Sequence, residues 1–296
     1  MNVFRSLAVL LLVSACGPAG LLDTLTPDYG VVRTDSVAYA PGPRGMLDIY
    51  RPSDAGPGKL PVIVFLYGGN WQMGSKEMYR FAGRPLAARG APGGAIVVVP
   101  DYRLAPEVQF PDFVRDNAAA VRWTLAHLEA LGGDPGRVFV LGHSAGAYNA
   151  AMLALDPAYL GAERGRLAGV IALAGPFDFL PITQPDLQPI FAPVQDGPLS
   201  QPITYADGTN PPMLLLAGAD DTTVRPGNTQ RLAARIAERG GIVESRIYPG
   251  LAHIGILTAL TPLFAARAPV LEDIAGFIAA HPRANAGGQL PVGARG

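Results

Sequence analysis

The sequence predicts an α/β fold, with a mostly parallel central sheet, helices on both faces and one irregular insertion. Three observations carry this expectation. From about residue 46, apolar strand-like runs alternate with helical patterns. One run, Ala95-Ile-Val-Val-Val-Pro100, is apolar on both faces, as a strand covered on both sides must be. The rhythm breaks only between Phe177 and Pro212. In chain order, Met46–Tyr50, Val62–Tyr67 and Ala95–Pro100 read as the first three strands. Asp112–Leu131 carries Val114, Ala118, Val121, Leu125 and Leu128 at helical spacing. Arg137–Leu141 is the fourth strand and Ala145–Leu155 the helix after it. Val170–Ala174, Met213–Ala217 and Val243–Tyr248 complete the strands. Asn228–Arg239 and Pro269–Ala280 complete the helices, the latter with proline at its first position. The segment 177–212 holds six prolines before the Pro211-Pro212 pair and has no period, so it reads as an irregular insertion over the binding face. It holds Phe177, Phe179, Leu180, Ile182, Ile190 and Phe191.

The chain has 296 residues, 49% of them hydrophobic and 16% charged, which permits a large core. Net charge is −1 and no basic patch stands out, which argues against a nucleic-acid partner. A single cysteine excludes an intramolecular disulfide. That cysteine is Cys16, and its neighbourhood is informative. Met1-Asn-Val-Phe-Arg5 is positively charged, Ser6–Val13 is mostly apolar, and Val13-Ser-Ala-Cys16 follows. This three-part build is that of a secretory signal, too short to span a bilayer. It resembles the lipobox of bacterial lipoproteins. The resemblance implies cleavage after residue 15, lipidation of Cys16 and anchoring by more than one acyl chain. With Gly17 rather than aspartate after the cysteine, it also implies export to the cell envelope and the outer membrane, facing the periplasm. Residues 16–45 then read as an anchor and linker, 46–281 as the folded domain, and 282–296, rich in Gly, Ala and Pro, as a disordered tail.

The chemistry lies at strand ends. Arg137-Val-Phe-Val-Leu141 runs into Gly142-His-Ser-Ala-Gly146, and a helix follows. A G-x-S-x-G between strand and helix is a nucleophile elbow, which projects Ser144 from a sharp turn whose flanking glycines remove clashing side chains. A serine hydroxyl needs a base, and the histidines are His127, His143, His253 and His281. The strand Met213–Ala217 leads to Gly218-Ala-Asp-Asp221, where two carboxylates compete for the role of acid. The strand Val62–Tyr67 ends in Tyr67-Gly-Gly-Asn-Trp71. Two glycines at the end of a buried strand leave a backbone bare enough to approach a ligand.

Together these stretches, with Pro100-Asp-Tyr-Arg-Leu-Ala-Pro106 and Ala252-His253, resemble the α/β-hydrolases, specifically the esterases of the hormone-sensitive-lipase-like and feruloyl-esterase-like group, from about Asp48 to Ala280. The resemblance implies the α/β-hydrolase fold, with the 177–212 insertion over the active site. It implies a triad in the order Ser, Asp or Glu, His. His127 and His143 fail that order, and His281, at a helix end before Pro282, suits a capping role. The base is then His253, in the glycine-bounded loop Pro249–Gly255. The family spacing G-x-x-D-x-x-V selects Asp221 as the acid that orients it. The oxyanion donors by family position are the backbone N–H groups of Gly69, Asn70 and Ala145. The family usually has histidine at Tyr67 and a third glycine at Asn70. Tyr67, Trp71, His143, Phe177 and Phe179 are candidate substrate-pocket residues, and Asp101 and Arg103 a polar pair holding the loop. The implied activity is serine carboxylesterase, on short- to medium-chain esters, with no metal or organic cofactor. A related amide hydrolase, arylformamidase- or peptidase-like, and a non-catalytic envelope binding module on the same fold are the alternatives.

Overall fold

The protein is described by a computed structural model covering residues 18–194 and 197–282. The expected signal peptide, Cys16 and residues 283–296 of the expected tail lie outside the described residues. The strands are β1 (Val31–Ala38), β2 (Met46–Pro52), β3 (Leu60–Leu66), β4 (Ile96–Pro100), β5 (Gly133–His143), β6 (Leu167–Leu173), β7 (Met213–Gly218) and β8 (Val243–Tyr248). They form one sheet in the order β1-β2-β4-β3-β5-β6-β7-β8. β2 runs antiparallel to β1 and β4, and every other pairing is parallel. In the centre, Val64 of β3 lies opposite Val98 of β4 and Val140 of β5. Strands β3, β4, β6 and β7 are buried at every residue, so both faces of the sheet are covered.

The helices are α1 (Pro18–Leu25), α2 (Arg80–Arg89), α3 (Asp112–Leu131), α4 (Ala145–Leu155), α5 (Pro157–Leu160), α6 (Gly227–Glu238), α7 (His253–Thr258) and α8 (Val270–Ala280). The helical crossovers β3-α2-β4, β4-α3-β5, β5-α4-β6 and β7-α6-β8 carry the chain between parallel strands, and the irregular 177–212 insertion carries it from β6 to β7. Helix α3 buries its predicted apolar stripe, Val114 to Leu128. It begins with Asp112 in its first turn, where a carboxylate suits the helix dipole, and ends on Gly132 at φ 75°, whose N–H donates to the carbonyls of Leu128 and Glu129. Helix α2 packs with α8, and α3 with α4.

Several expectations are corrected. The region taken as a linker, 16–45, contains α1 and the edge strand β1, which pairs with β2 from Val31↔Pro52 to Ala38↔Met46. Arg33, Thr34, Asp35 and Ser36 hide this strand in the sequence, because an edge strand has no need of two apolar faces. Helix α2 was masked by Gly83 and Pro85. Gly83 is required, since a Cβ there would lie 2.9 Å from the Tyr50 ring. Strand β5 starts at Gly133, earlier than the apolar run. Pro269 caps α8 instead of opening it.

A buried ion pair ties β2 to the turn that precedes α2. Lys76 Nζ lies 3.0 Å from Asp48 Oδ1 and 3.1 Å from Ser36 Oγ, and it also contacts Glu77. Asp48 in turn accepts the Ser36 backbone N–H at the bulge of β1 (3.0 Å). Both charges are nearly out of reach of water, at 3% and 0% exposure. Lys76→Ala would strand a buried carboxylate and should lower the unfolding free energy by about 3–5 kcal/mol. Arg115→Ala, which breaks the exposed pair with Asp112, should cost less than about 1 kcal/mol; urea unfolding of both variants checks the contrast.

Candidate active site

Four of the strand ends converge on one point. At the end of β5, Ser144 adopts φ 55° and ψ −121°, a conformation that L-residues rarely hold. Its surroundings enforce it. The Ser144 N–H donates to Leu173 O of β6 (2.9 Å), and its carbonyl accepts from the Tyr148 N–H (3.0 Å). The flanking glycines have no alternative: a Cβ on Gly142 would lie 2.2 Å from Gly146 O, and one on Gly146 would lie 2.0 Å from Leu66 O.

His253 opens α7, just beyond β8. Its Nε2 is 2.9 Å from Ser144 Oγ and its Nδ1 is 2.8 Å from Asp221 Oδ2. Asp221 is nearly buried, and its other oxygen accepts the N–H groups of Thr223 (2.9 Å) and Val224 (2.8 Å). The loop after β7 therefore holds the carboxylate by one oxygen and presents the other to the ring. A carboxylate can only accept, so Nδ1 carries the hydrogen and Nε2 keeps a lone pair for the serine hydroxyl. Asp220, the competing carboxylate, is exposed. His127 and His281 lie elsewhere, each bonded through Nδ1 to a carbonyl of its own helix.

His143 sits behind this relay. Its Nε2 is 3.2 Å from the carbonyl oxygen of His253, so that nitrogen is the donor. Burial, followed by the neighbouring His253 ring, pushes its pKa down to about 3, and the imidazole is neutral. It borders the cavity.

The glycine loop after β3 passes directly over the nucleophile: a Cβ on Gly68 would lie 2.9 Å from Ser144 Cβ. Gly69, Asn70 and Trp71 all have positive φ (128°, 57° and 57°), and a Cβ on Gly69 would lie 2.1 Å from Met73 O. The N–H groups of Gly69, Asn70 and Ala145 meet no acceptor among the described residues. The Asn70 carboxamide reaches across to the insertion and donates to Asp186 Oδ2 (3.0 Å).

Other assignments change. Tyr67 does not face the cavity. It is fully buried, stacked between Tyr79 and Tyr102 at centroid distances of 5.2 and 4.7 Å, and its hydroxyl donates to Asp101 Oδ1 (2.8 Å). Trp71 touches the cavity but is mainly a packing residue. It lies against Phe113, Tyr148 and Phe191, with its indole N–H on Asn149 Oδ1 (3.0 Å). Phe177 is buried behind the wall, while Phe179 does line the cavity. Arg103 pairs with Asp116 in a two-pronged contact (2.9 and 2.7 Å), not with Asp101. Asp101 instead accepts from Tyr67 and from the Lys76 N–H (2.9 Å), and burial raises its pKa.

The cavity over Ser144 measures about 870 Å³. The insertion lines it through Asp178, Phe179, Leu180, Asp186 and Leu187, and Met73, Met78 and Ile254 from other loops line it as well. Apart from Phe179, these residues escaped a motif-based reading because they come from separate loops with no shared pattern. Among the described residues, no group of three metal-ligating side chains comes together.

A sheet of this order, with a serine on an elbow after β5 and partners after β7 and β8, defines an α/β-hydrolase. The chain belongs to the BD-FAE family, whose model matches residues 47–236. It is 29% identical, over 82% of its length, to the probable isoprenylcysteine alpha-carbonyl methylesterase ICME of Oryza sativa subsp. japonica. It is 29% identical over 83% of its length to the esterase LipQ of Mycobacterium tuberculosis. It spans 63% and 62% of the lengths of those proteins. A hyperthermophilic esterase from the archaeon Pyrobaculum calidifontis superposes with a TM-score of 0.68 at 25% identity, covering 88% of this chain and 90% of its own.

The neutral His143 has a measurable consequence. Its folded pKa of about 3 lies below the ordinary value of 6.5, so the unfolded chain takes up this proton first, and acid favours unfolding across that window. One such proton contributes a slope of up to about 1.4 kcal/mol per pH unit. His143→Gln should therefore lose less stability than wild type between pH 7 and pH 4; urea unfolding at each pH measures the slopes.

Proposed function

We propose that the protein is a serine carboxylesterase. The observation that carries this reading is the unbroken relay from Ser144 Oγ to His253 (2.9 Å) and from His253 to Asp221 (2.8 Å). Beside it lie N–H groups, at the helix start and on the glycine loop, that meet no acceptor among the described residues. Ser144 attacks the ester carbonyl while His253 takes its proton, and Asp221 stabilises the imidazolium. Gly69, Asn70 and Ala145 donate to the oxyanion. His253 returns the proton to the departing alcohol. Water, activated by the same ring, then cleaves the acyl-enzyme to release the acid.

The cavity lining supports a reading of the substrate as well. Met73, Met78, Leu180 and Ile254 are all at least 37% exposed and all border the cavity. Exposed apolar side chains gathered at a mouth favour an ester with an apolar body. A medium-length acyl chain is accordingly preferred to acetate. The names of the relatives, a methylesterase and an esterase, support ester chemistry.

Ser144→Ala should abolish turnover of a nitrophenyl ester, with a loss of about 10⁴-fold or more, and should abolish labelling by a fluorophosphonate probe. Wild-type-like activity in that variant would refute the assignment. Across nitrophenyl acetate, butyrate and octanoate, kcat/KM should peak beyond acetate; a maximum at acetate counts against the apolar-body reading. The location of the enzyme rests on the leader pattern: Cys16 carries the lipid, and palmitate label should vanish in Cys16→Ser.

A further inference from the structure

Two peptides of the glycine loop present the proposed oxyanion donors, and each is held by its carbonyl. In a trans peptide the C=O and the N–H point in opposite directions. Among the described residues, cis bonds occur only before proline. Fixing the carbonyl of such a peptide therefore fixes the direction of its N–H.

The Gly69 carbonyl shares its peptide with the Asn70 N–H, and it accepts from the N–H groups of Gln72 and Met73, both at 3.0 Å. The loop makes that lock with its own backbone. The Gly68 carbonyl shares its peptide with the Gly69 N–H, and its partner is a side chain. The hydroxyl of Tyr79 donates to it at 3.1 Å. No other donor reaches Gly68 O among the described residues.

Tyr79 ends the 3-10 turn Lys76–Tyr79, which the buried pair of Lys76 and Asp48 pins to the sheet. Its ring is stacked on Tyr67 at 5.2 Å and 15° and meets Phe65 edge-on at 5.9 Å. Neighbours on two sides thus fix where the hydroxyl sits. Burial pushes the phenol up to about 12, so it remains a proton donor at any working pH.

We propose that Tyr79 is a positioning residue for the hydrolysis: its hydroxyl holds the Gly68–Gly69 peptide so that the Gly69 N–H faces the oxyanion. The role rests on the esterase reading. Without this bond the peptide is free to rotate, and the donor is misaligned but not deleted. The penalty should then be smaller than the 10²–10³-fold typical of losing a donor, about tenfold in kcat.

Tyr79→Phe tests this, since it keeps the ring and removes only the hydroxyl. With sites counted by fluorophosphonate titration, kcat should fall about tenfold, with KM nearly unchanged. The fall should be the same for every acyl length. An alkyl trifluoromethyl ketone adds Ser144 Oγ to its carbonyl and so forms a tetrahedral oxyanion. Its affinity should fall by the same factor, while that of the unreactive methyl ketone of equal chain length holds. Phe81→Leu is the control: it loosens the same aromatic cluster (Tyr79–Phe81, 6.0 Å) but leaves the hydroxyl in place. It should lower the unfolding midpoint and leave the ratio of the two ketone affinities unchanged.

An unchanged kcat in Tyr79→Phe overturns the proposal. So does a loss carried by KM, a loss that varies with acyl length, a parallel fall for both ketones, or the same ratio change in Phe81→Leu. An inactive wild type would overturn the esterase reading itself. An active wild type with an unaffected Tyr79→Phe overturns the positioning role alone.

Discussion

The close crossing of β5, α4 and β3 is the constraint on which the rest of the site depends. Gly146 packs so tightly that a Cβ would lie 2.0 Å from Leu66 O, and Gly142 so tightly that one would lie 2.2 Å from Gly146 O. Only bare backbone permits this contact. Its consequence is spatial. The start of α4 is drawn against the end of β3, so the glycine loop and Ser144 become neighbours although 74 positions separate Asn70 from Ser144. The strain at Ser144 persists because two strands, a helix and the hydrogen bonds to Leu173 and Tyr148 together determine it.

Around that crossing, each reactive group is fixed by something other than its reaction partner. Asp221 is held by the amides of Thr223 and Val224, which leaves one oxygen for His253. The His253 backbone is in contact with the neutral His143. The glycine loop stands on a stack of three tyrosines, Tyr102, Tyr67 and Tyr79. Tyr102 bonds the carbonyl of Tyr67 at 2.9 Å, and Tyr67 is anchored on Asp101. Groups held in this way need little reorganisation when charge develops, which is the physical basis of preorganised stabilisation.

The insertion has two roles with different physics. Its inner side completes the core, through Phe177, Ile182, Ile190 and Phe191. Its outer turns form a cavity wall and are tied to the glycine loop by Asn70 on Asp186 and by Gln72 on the Asp186 carbonyl (2.9 Å). Asn70 has φ 57°, at the position where the resemblance to the esterases leads one to expect glycine. Asparagine tolerates that conformation better than most residues, and its carboxamide adds a link to the wall that glycine cannot make.

The sequence by itself determined what depends on local patterning. Apolar runs and helical spacing gave the sheet and its major helices, because burial on both faces leaves a compositional trace. The G-x-S-x-G turn and the glycine pair marked the two close approaches, because only glycine fits there. Between the two carboxylates at Asp220 and Asp221, local pattern left the choice open, and the spacing implied by the esterase resemblance picked out the one that meets His253. Tertiary structure alone decided what depends on distant partners. Edge strand β1 is mostly polar and carries no run apolar on both faces, since among the described residues only one of its edges is paired. Tyr67 and Phe177 are aromatic residues beside a cleft, and which way such rings face depends on the elements packed behind them. The partner of Arg103 is Asp116, thirteen residues away on α3, and the Gly68 carbonyl finds its donor on Tyr79 only because a turn beyond the loop folds back. Hydrogen-bond partners and cavity walls are assembled by the packing of separate loops, and no local pattern records that assembly.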